Sequence, residues 1–218
     1  MSVSELARSL ITIDDHPLFR KGLADLIAME PGLQLIAEAA SGEEGIALIR
    51  NHQPELVLLD LNMKGMDGIA TLREIKRYCP DVRVIMLTVS DHEEDVVAAL
   101  RAGADGYLLK DMEPEDTLAA LRQAAAGRLV ISERLTELLA YALRHEGHQP
   151  SDAHQAGLTE REQQILDQLS QGLSNKMIAR KLDITEGTVK VHVKHLLKKL
   201  NLRSRVEAAV WAVNQSRS

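Results

Sequence analysis

The chain has 218 residues, 45% of them hydrophobic, a single cysteine and a formal net charge of -6. That length accommodates one or two domains. The lone Cys79 excludes an internal disulfide; with no charged-then-apolar start and no apolar run long enough to span a bilayer, the expectation is a cytoplasmic protein with no membrane partner. The charge is unevenly placed. Residues 1–128 hold 13 Lys and Arg against 22 Asp and Glu, a net of -9; residues 129–157 carry -2; residues 158–218, with 11 against 6, carry +5. A basic segment on an acidic chain suggests an anionic partner for that segment, nucleic acid first, although a solvated charged surface has the same composition.

In chain order, Leu10 to Ile13 is a short β-rich run ending in Asp14-Asp15, and Pro17 is well placed as an early helical residue before Leu23, Leu26 and Ile27. Leu33 to Ala37 reads as a second strand and Gly42 to Ile49 as a second helix. The apolar run Leu56-Val57-Leu58-Leu59 reads as a buried strand that ends abruptly in Asp60; Gly65 and Gly68 then mark a loop before a helix over Ile69 to Tyr78. After the break at Pro80-Asp81, Val82 to Thr88 is a fourth strand. Asp91 with Glu94 has capping-box spacing for a fourth helix. Tyr107 to Leu109 is a fifth strand ending in Lys110, and Pro114 opens a fifth helix to about Ala125. This five-fold alternation argues for a doubly wound parallel α/β sheet with helices on both faces.

Ser132 to Leu143 has helical spacing, with Leu135, Leu138, Leu139 and Ala142 on one side. Arg144 to Gly157 is polar and aperiodic and reads as a linker; its His145, His148 and His154 match no metal-ligand spacing and read as solvated residues. The expected organisation is therefore an α/β domain over 1–128, a linker over 129–157 with a helix near 132–143, and an all-helical domain over 158–218. In that last segment Thr159 with Glu162, and Ser204 with Glu207, have capping-box spacing. Helices over Asn175 to Leu182 and Thr185 to Leu200, joined by the tight connection Asp183-Ile184, make a helix-turn-helix candidate.

Asp14, Asp15, Asp60, Thr88 and Lys110 all stand at strand ends. In a parallel sheet they converge at the carboxyl edge, where open α/β sheets hold their ligands. Three carboxylates repel one another, and a hard divalent cation with oxygen ligands, Mg²⁺, resolves that repulsion. Lys110 supplies a compact positive charge and Thr88 a hydroxyl donor, both suited to phosphoryl oxygens. Asp60 is then a candidate nucleophile toward a phosphoryl group, giving an aspartyl phosphate.

The acid pair near the start, LLDLNMKGMDG, LTVSD and GADGYLLKD together resemble the receiver domain of two-component response regulators, over roughly residues 8–128. The resemblance implies the strand order 2-1-3-4-5 and Asp60 as phosphoacceptor. It implies Mg²⁺ held by Asp15, Asp60 and the backbone carbonyl of Asn62, with Asp14 assisting through water. It assigns Thr88 and Lys110 to the incoming phosphoryl oxygens and makes Thr88 and Tyr107 the switch. Lys64 and Asp111 stand where many receivers have proline; neither departure removes a chemical group from the site.

In the basic segment, Val189, Val193, Leu196, Leu197 and Leu200 share a core-facing side of the last long pattern. Lys190, Lys194 and Lys198 lie on another side, beside Val191. An apolar side chain among exposed lysines suits a thymine methyl in the major groove, although surfaces also tolerate a stray valine. Residues 158–210 resemble the LuxR-type (GerE-type) helix-turn-helix. That resemblance implies base contacts from Lys190, Val191 and Lys194. Lys176, Lys198, Arg203 and Arg205 are candidates for phosphate contact from their charge and their places at helix ends. The last helix, with Val206, Val210 and Val213, is expected to pair two copies or to pack within the domain.

A receiver joined to a LuxR-type helix-turn-helix is the pattern of the NarL/FixJ family. HEEDVV, GADGYLLKDMEPED, NKMIARKLDITE and TVKVHVKHLLKK are similar to its nitrate/nitrite-responsive members. The expected function is a phosphorylation-controlled transcription factor rather than an enzyme. It would be phosphorylated by a sensor histidine kinase with Mg²⁺, which would release the C-terminal helices to bind promoter double-stranded DNA as a homodimer. Two alternatives compete. One is a phosphatase with an aspartate nucleophile, opposed by Asn62 standing where such enzymes need a second carboxylate and by the basic helical tail. The other is a DNA-binding protein whose receiver is a phosphorylation-independent scaffold.

Overall fold

The computed structural model describes residues 7–89, 92–131, 136–137, 139–141 and 156–215. Its contacts divide the chain into two compact units, Met1–Asp91 with Ala104–Ala126, and His92–Gly103 with Gly127–Ser218.

The first unit is built on a parallel sheet of β1 (Arg8–Ile13), β2 (Leu33–Ala39), β3 (Leu56–Asp60), β4 (Arg83–Thr88) and β5 (Gly106–Leu109) in the order β2-β1-β3-β4-β5. In chain order the strands alternate with α1 (Pro17–Ala28), α2 (Gly42–His52), α3 (Gly68–Tyr78), α4 (Glu93–Ala102) and α5 (Pro114–Ala125), of which α4 is grouped with the second unit. Central strands covered on both faces need apolar side chains at every position. β3 meets this need: all five of its residues, Asp60 included, are buried. Helix α1 packs with α5, and α2 packs with α3. Lys76 of α3 holds the amino edge of the sheet, donating to Asp105 Oδ2 (2.6 Å) and to the Val82 carbonyl (2.7 Å), while Asp105 Oδ2 also accepts the Val84 amide (3.0 Å).

The strand ends depart little from the sequence reading; β1 starts two residues earlier, at Arg8, and β2 runs on to Ala39. One cap is corrected. Helix α4 starts at Glu93 with His92 as its N-cap and no side-chain cap bond, so Asp91, outside the described residues, is not the N-cap. Residues 136–137 and 139–141 are helical, with Leu139 and Ala140 buried. The remainder of the expected 132–143 helix, and His145, His148 and His154, lie outside the described residues.

The second unit contains α6 (Glu160–Ser170), α7 (Asn175–Leu182), α8 (Glu186–Leu200) and α9 (Arg205–Gln215). Each start is set by a short oxygen-bearing side chain, which satisfies an amide the helix leaves open. Thr159 and Glu162 form a reciprocal capping box on α6, Ser174 accepts the Met177 amide, and Thr185 accepts the Thr188 amide. The turn between α7 and α8 closes on Asp183 in the left-handed region (φ 52°), and the Ile184 amide donates to the Ala179 carbonyl at 3.0 Å. Ser204 accepts the Glu207 amide (3.2 Å) as its spacing predicts, but the Glu207 carboxylate takes the Arg203 amide (2.5 Å). Helix α8 packs on α6 and α7, and α9 packs on α6 and α8. Among the described residues no helix is long and apolar enough to cross a membrane.

Candidate phosphoacceptor site and nucleic-acid interface

The sheet register gathers the site. Ile13 pairs with Leu59, so Asp14 leaves β1 beside Asp60, and Asp60 itself pairs with Leu87. Thr88 pairs with Leu109, and the Lys110 amide donates to the Thr88 carbonyl at 2.8 Å. All five strand-end residues singled out from the sequence therefore meet at one edge.

Asp14 and Asp60 are both 1% exposed, and Thr88 is fully buried. The Lys110 ammonium stands 2.7 Å from Asp14 Oδ2 and 2.8 Å from Asp60 Oδ2, above the Phe19 ring at 4.7 Å. Burial pushes the Asp60 carboxyl above its ordinary value; Lys110 opposes this, and the charge of Asp14 adds to it. The two oxygens of Asp60 are distinct. Oδ1 accepts the Asn62 amide at 3.2 Å, whereas Oδ2 faces the ammonium. The Asn62 side-chain amide reaches the Thr88 hydroxyl at 3.5 Å.

The loops hold the acid pair in turn. Asp14 Oδ1 accepts the His16 amide (2.8 Å), and Arg20 donates to the Asp14 carbonyl (2.5 Å). The Lys64 amide donates to Asp15 Oδ2 at 3.1 Å, a bond that proline at this position would not make. Gly68 lets the loop return against the site, because a Cβ there would lie 2.3 Å from the Asp60 carbonyl oxygen.

Asp14, Asp15, His16 and Asp60 each place one ligand atom within 4.8 Å of the others. Asp14 Oδ2, Asp15 Oδ1 and Asp60 Oδ2 are buried without a hydrogen-bond partner. The Lys110 ammonium pairs by charge with two of them, Asp14 Oδ2 and Asp60 Oδ2. One ammonium among three carboxylates leaves negative charge uncompensated, and oxygens left open in this way fit a hard divalent cation. Sequence reasoning did not single out His16, Phe19 or the Lys64 amide. The signal for His16 was its place directly after the acid pair; the other two carried none.

In the second unit, α8 buries Val189, Leu196 and Leu200 and turns Val191 outward, 53% exposed, with Lys194, His195 and Lys198 also exposed. Lys190 is half-buried; Lys176 and Arg203 are exposed. Arg205 is occupied locally, donating to the Leu173 carbonyl at 2.6 Å and to Asn175 Oδ1 at 3.4 Å. Val206 and Val210 are buried and Val213 half-buried, so pairing through the first two requires them to be uncovered. Lys199, at the end of α8, donates to Glu162 Oε2 (2.7 Å) and to the Gly157 carbonyl (2.9 Å), tying the helix to the start of α6. Burial alone would raise the Glu162 carboxyl; Lys199 and the amide and hydroxyl of Thr159 outweigh it and hold it below the ordinary range.

Residues 10–122 match the response regulator receiver domain family, and residues 156–212 match the bacterial regulatory proteins of the luxR family. The sequence is 56% identical, over 96% of this chain and 96% of that protein, to the nitrate/nitrite response regulator protein NarL of Escherichia coli strain K12. It is 46% identical, over 94% of each, to the nitrate/nitrite response regulator protein NarP of Escherichia coli strain K12. Among solved structures, the response regulator ChrA of a heme-sensing two-component system is similar with a TM-score of 0.50 and 35% identity, over 97% of this chain and 98% of that one.

Proposed function

Because this chain belongs to the two-component response regulators that join a receiver to a LuxR-type DNA-binding domain, we propose that Asp60 accepts a phosphoryl group from a sensor histidine kinase and that this controls promoter binding. The observation that carries the reading is the convergence of Asp14, Asp15, Asp60, Thr88 and Lys110 at one sheet edge, with a buried oxygen of each carboxylate lacking a hydrogen-bond partner. The receiver is assigned to 1–128, the linker to 129–157 and the DNA-binding domain to 158–218.

A carboxylate oxygen of Asp60 attacks the phosphorus of the donor's phosphohistidine. The P–N bond breaks as the P–O bond forms, and the imidazole nitrogen keeps the electron pair and takes up a proton. Lys110 and the Thr88 hydroxyl are placed to bind the phosphoryl oxygens, and the Lys110 charge offsets negative charge gathering on the transferred group. Asp15, Asp60 and the Asn62 carbonyl would hold Mg²⁺, with Asp14 assisting through water, and the bound ion would screen the carboxylates from the incoming phosphate. Phosphorylation replaces the Asp60 carboxylate with a bulkier and more negatively charged acyl phosphate, which changes what Thr88 and the buried Tyr107 face, and these two act as the switch. The chain is a regulator and not an enzyme with an external substrate.

The C-terminal domain reads promoter double-stranded DNA through Lys190, Val191 and Lys194. Lys176, Lys198, Arg203 and Arg205 are assigned to the phosphate backbone, and two copies pair through Val206, Val210 and Val213 on α9. Identity to NarL and NarP supports control of nitrate- or nitrite-responsive genes.

Binding of the protein to nitrate-regulated promoter DNA, with and without acetyl phosphate and Mg²⁺, tests this for wild type and Asp60→Asn. Stronger binding on phosphorylation in wild type alone is the expected result. Equal binding in all four cases overturns it and favours a receiver that acts only as a scaffold.

A further inference from the structure

His16 stands inside the acidic cluster and has no part in the function proposed above. Its Nδ1 lies 2.9 Å from Asp15 Oδ1, 3.2 Å from Asp14 Oδ1 and 3.7 Å from Asp60 Oδ2. The Asp15 contact is not a hydrogen bond, because Asp15 Oδ1 has no hydrogen-bond partner. Two atoms that share one ion at about 2.1 Å lie about 3.0 Å apart at an octahedral right angle and about 3.4 Å apart at a tetrahedral angle. The spacing of Nδ1 from the carboxylate oxygens falls around that range. Asp60, more than nine-tenths buried, places Oδ2 without a hydrogen-bond partner between the Lys110 ammonium (2.8 Å) and His16 Nδ1 (3.7 Å).

Apart from the hydrogen bond between Nδ1 and Asp14 Oδ1 (3.2 Å), which ligation would exchange for the ion, the ring is uncommitted to the fold. His16 is the N-cap of α1 but makes no side-chain cap bond, and its side chain is 65% exposed, so it turns without repacking. Imidazole nitrogen is a poor ligand for Mg²⁺ and a good one for Co²⁺, Ni²⁺ and Zn²⁺.

We propose that His16 converts this oxygen site into a mixed nitrogen–oxygen site for divalent transition metals, which bind through Asp15, Asp60 and His16 Nδ1. The neutral ring, with its proton on Nε2, gives the Nδ1 lone pair to the ion. Mg²⁺ is held by the oxygens alone. His16 thereby sets which cation the receiver prefers. This rests on the reading of the cluster as a divalent-cation site.

The test is equilibrium binding of Co²⁺ and of Mg²⁺ to the full chain, with the Co²⁺ absorption bands as a second readout. Wild type, His16→Ala, His16→Gln and Asp15→Ala are compared. Asp15→Ala separates this site from Co²⁺ bound at the chain's other histidines. The expected result is that the preference for Co²⁺ over Mg²⁺ at the Asp15-dependent site falls at least tenfold in both His16 variants, with loss of the nitrogen-ligand absorption bands. A preference unchanged in either folded variant overturns the proposal while leaving the Mg²⁺ site standing. Absence of any Asp15-dependent cation in wild type overturns the cation-site reading and this proposal with it.

Discussion

Lys110 Nζ stands 2.8 Å from Asp60 Oδ2, at the junction where β5 ends beside β4 and β3. The same ammonium is 2.7 Å from Asp14 Oδ2. A single cation thus stands between two nearly buried carboxylates and offsets part of their charge, and it occupies the side of Asp60 from which a phosphoryl group's oxygens would be held.

Removing that ammonium leaves two buried charges facing one another. Lys110→Ala is expected to lower stability by about 3–5 kcal/mol, less whatever protonation of Asp60 recovers. The rate of labelling by acetyl phosphate is expected to fall about a hundredfold. Thermal unfolding in a chelator and labelling at saturating Mg²⁺ measure the two effects separately. Unchanged labelling would remove Lys110 from the phosphoryl site.

Gly68 is required by space. A Cβ there would lie 2.3 Å from the Asp60 carbonyl oxygen and 2.6 Å from Leu61 Cα, both backbone atoms that yield only if β3 moves. Gly68→Ala is expected to cost about 1–3 kcal/mol and to slow phosphorylation by displacing Asp60. Denaturant midpoints and acetyl phosphate labelling report it. A neutral result would show that the loop relaxes freely.

Glu162 supplies a pH dependence to the C-terminal unit. Its folded value lies below its ordinary 4.5, so the folded state prefers the carboxylate. The stability this adds is present in full above pH 4.5 and is lost as the pH falls through the folded value. Glu162→Gln is expected to lower stability by about 1–2 kcal/mol at pH 7, with the difference shrinking in acid. Unfolding of both proteins across pH 3–7 checks the sign; a difference that grows in acid would contradict it.

Lys190→Ala and Lys194→Ala are each expected to weaken promoter binding by about 1–3 kcal/mol if they read base edges, with relaxed discrimination at one position. Loss of a phosphate contact instead weakens all sequences alike and lowers the salt slope by about 0.9 per residue. Binding to promoter and to random DNA over a range of salt separates the two, and Lys198→Ala serves as the expected phosphate-type control.

The strand–helix alternation was legible because each buried central strand is a continuous apolar run that stops at a polar residue. LVLLD, closed by Asp60, states both the strand and its chemical end in five letters. The helical cap at Thr159 follows from local hydrogen bonding and holds in the structure as its spacing with Glu162 predicts. Asp91 has the same spacing with Glu94 but lies outside the described residues, and α4 takes His92 as its N-cap.

Chain order therefore determined which residues end strands and which faces of α8 are apolar or basic, since period and polarity are properties of neighbours in sequence. Tertiary structure alone decided that Lys110 bridges Asp14 and Asp60, that His16 enters the cluster, that the Lys64 amide holds Asp15, and that Arg205 is turned inward to Leu173 and Asn175. These relationships join residues whose separation along the chain carries no period. They exist because sheet register and loop return bring the groups within ångströms of one another, where unscreened charge and hydrogen-bond geometry select among them.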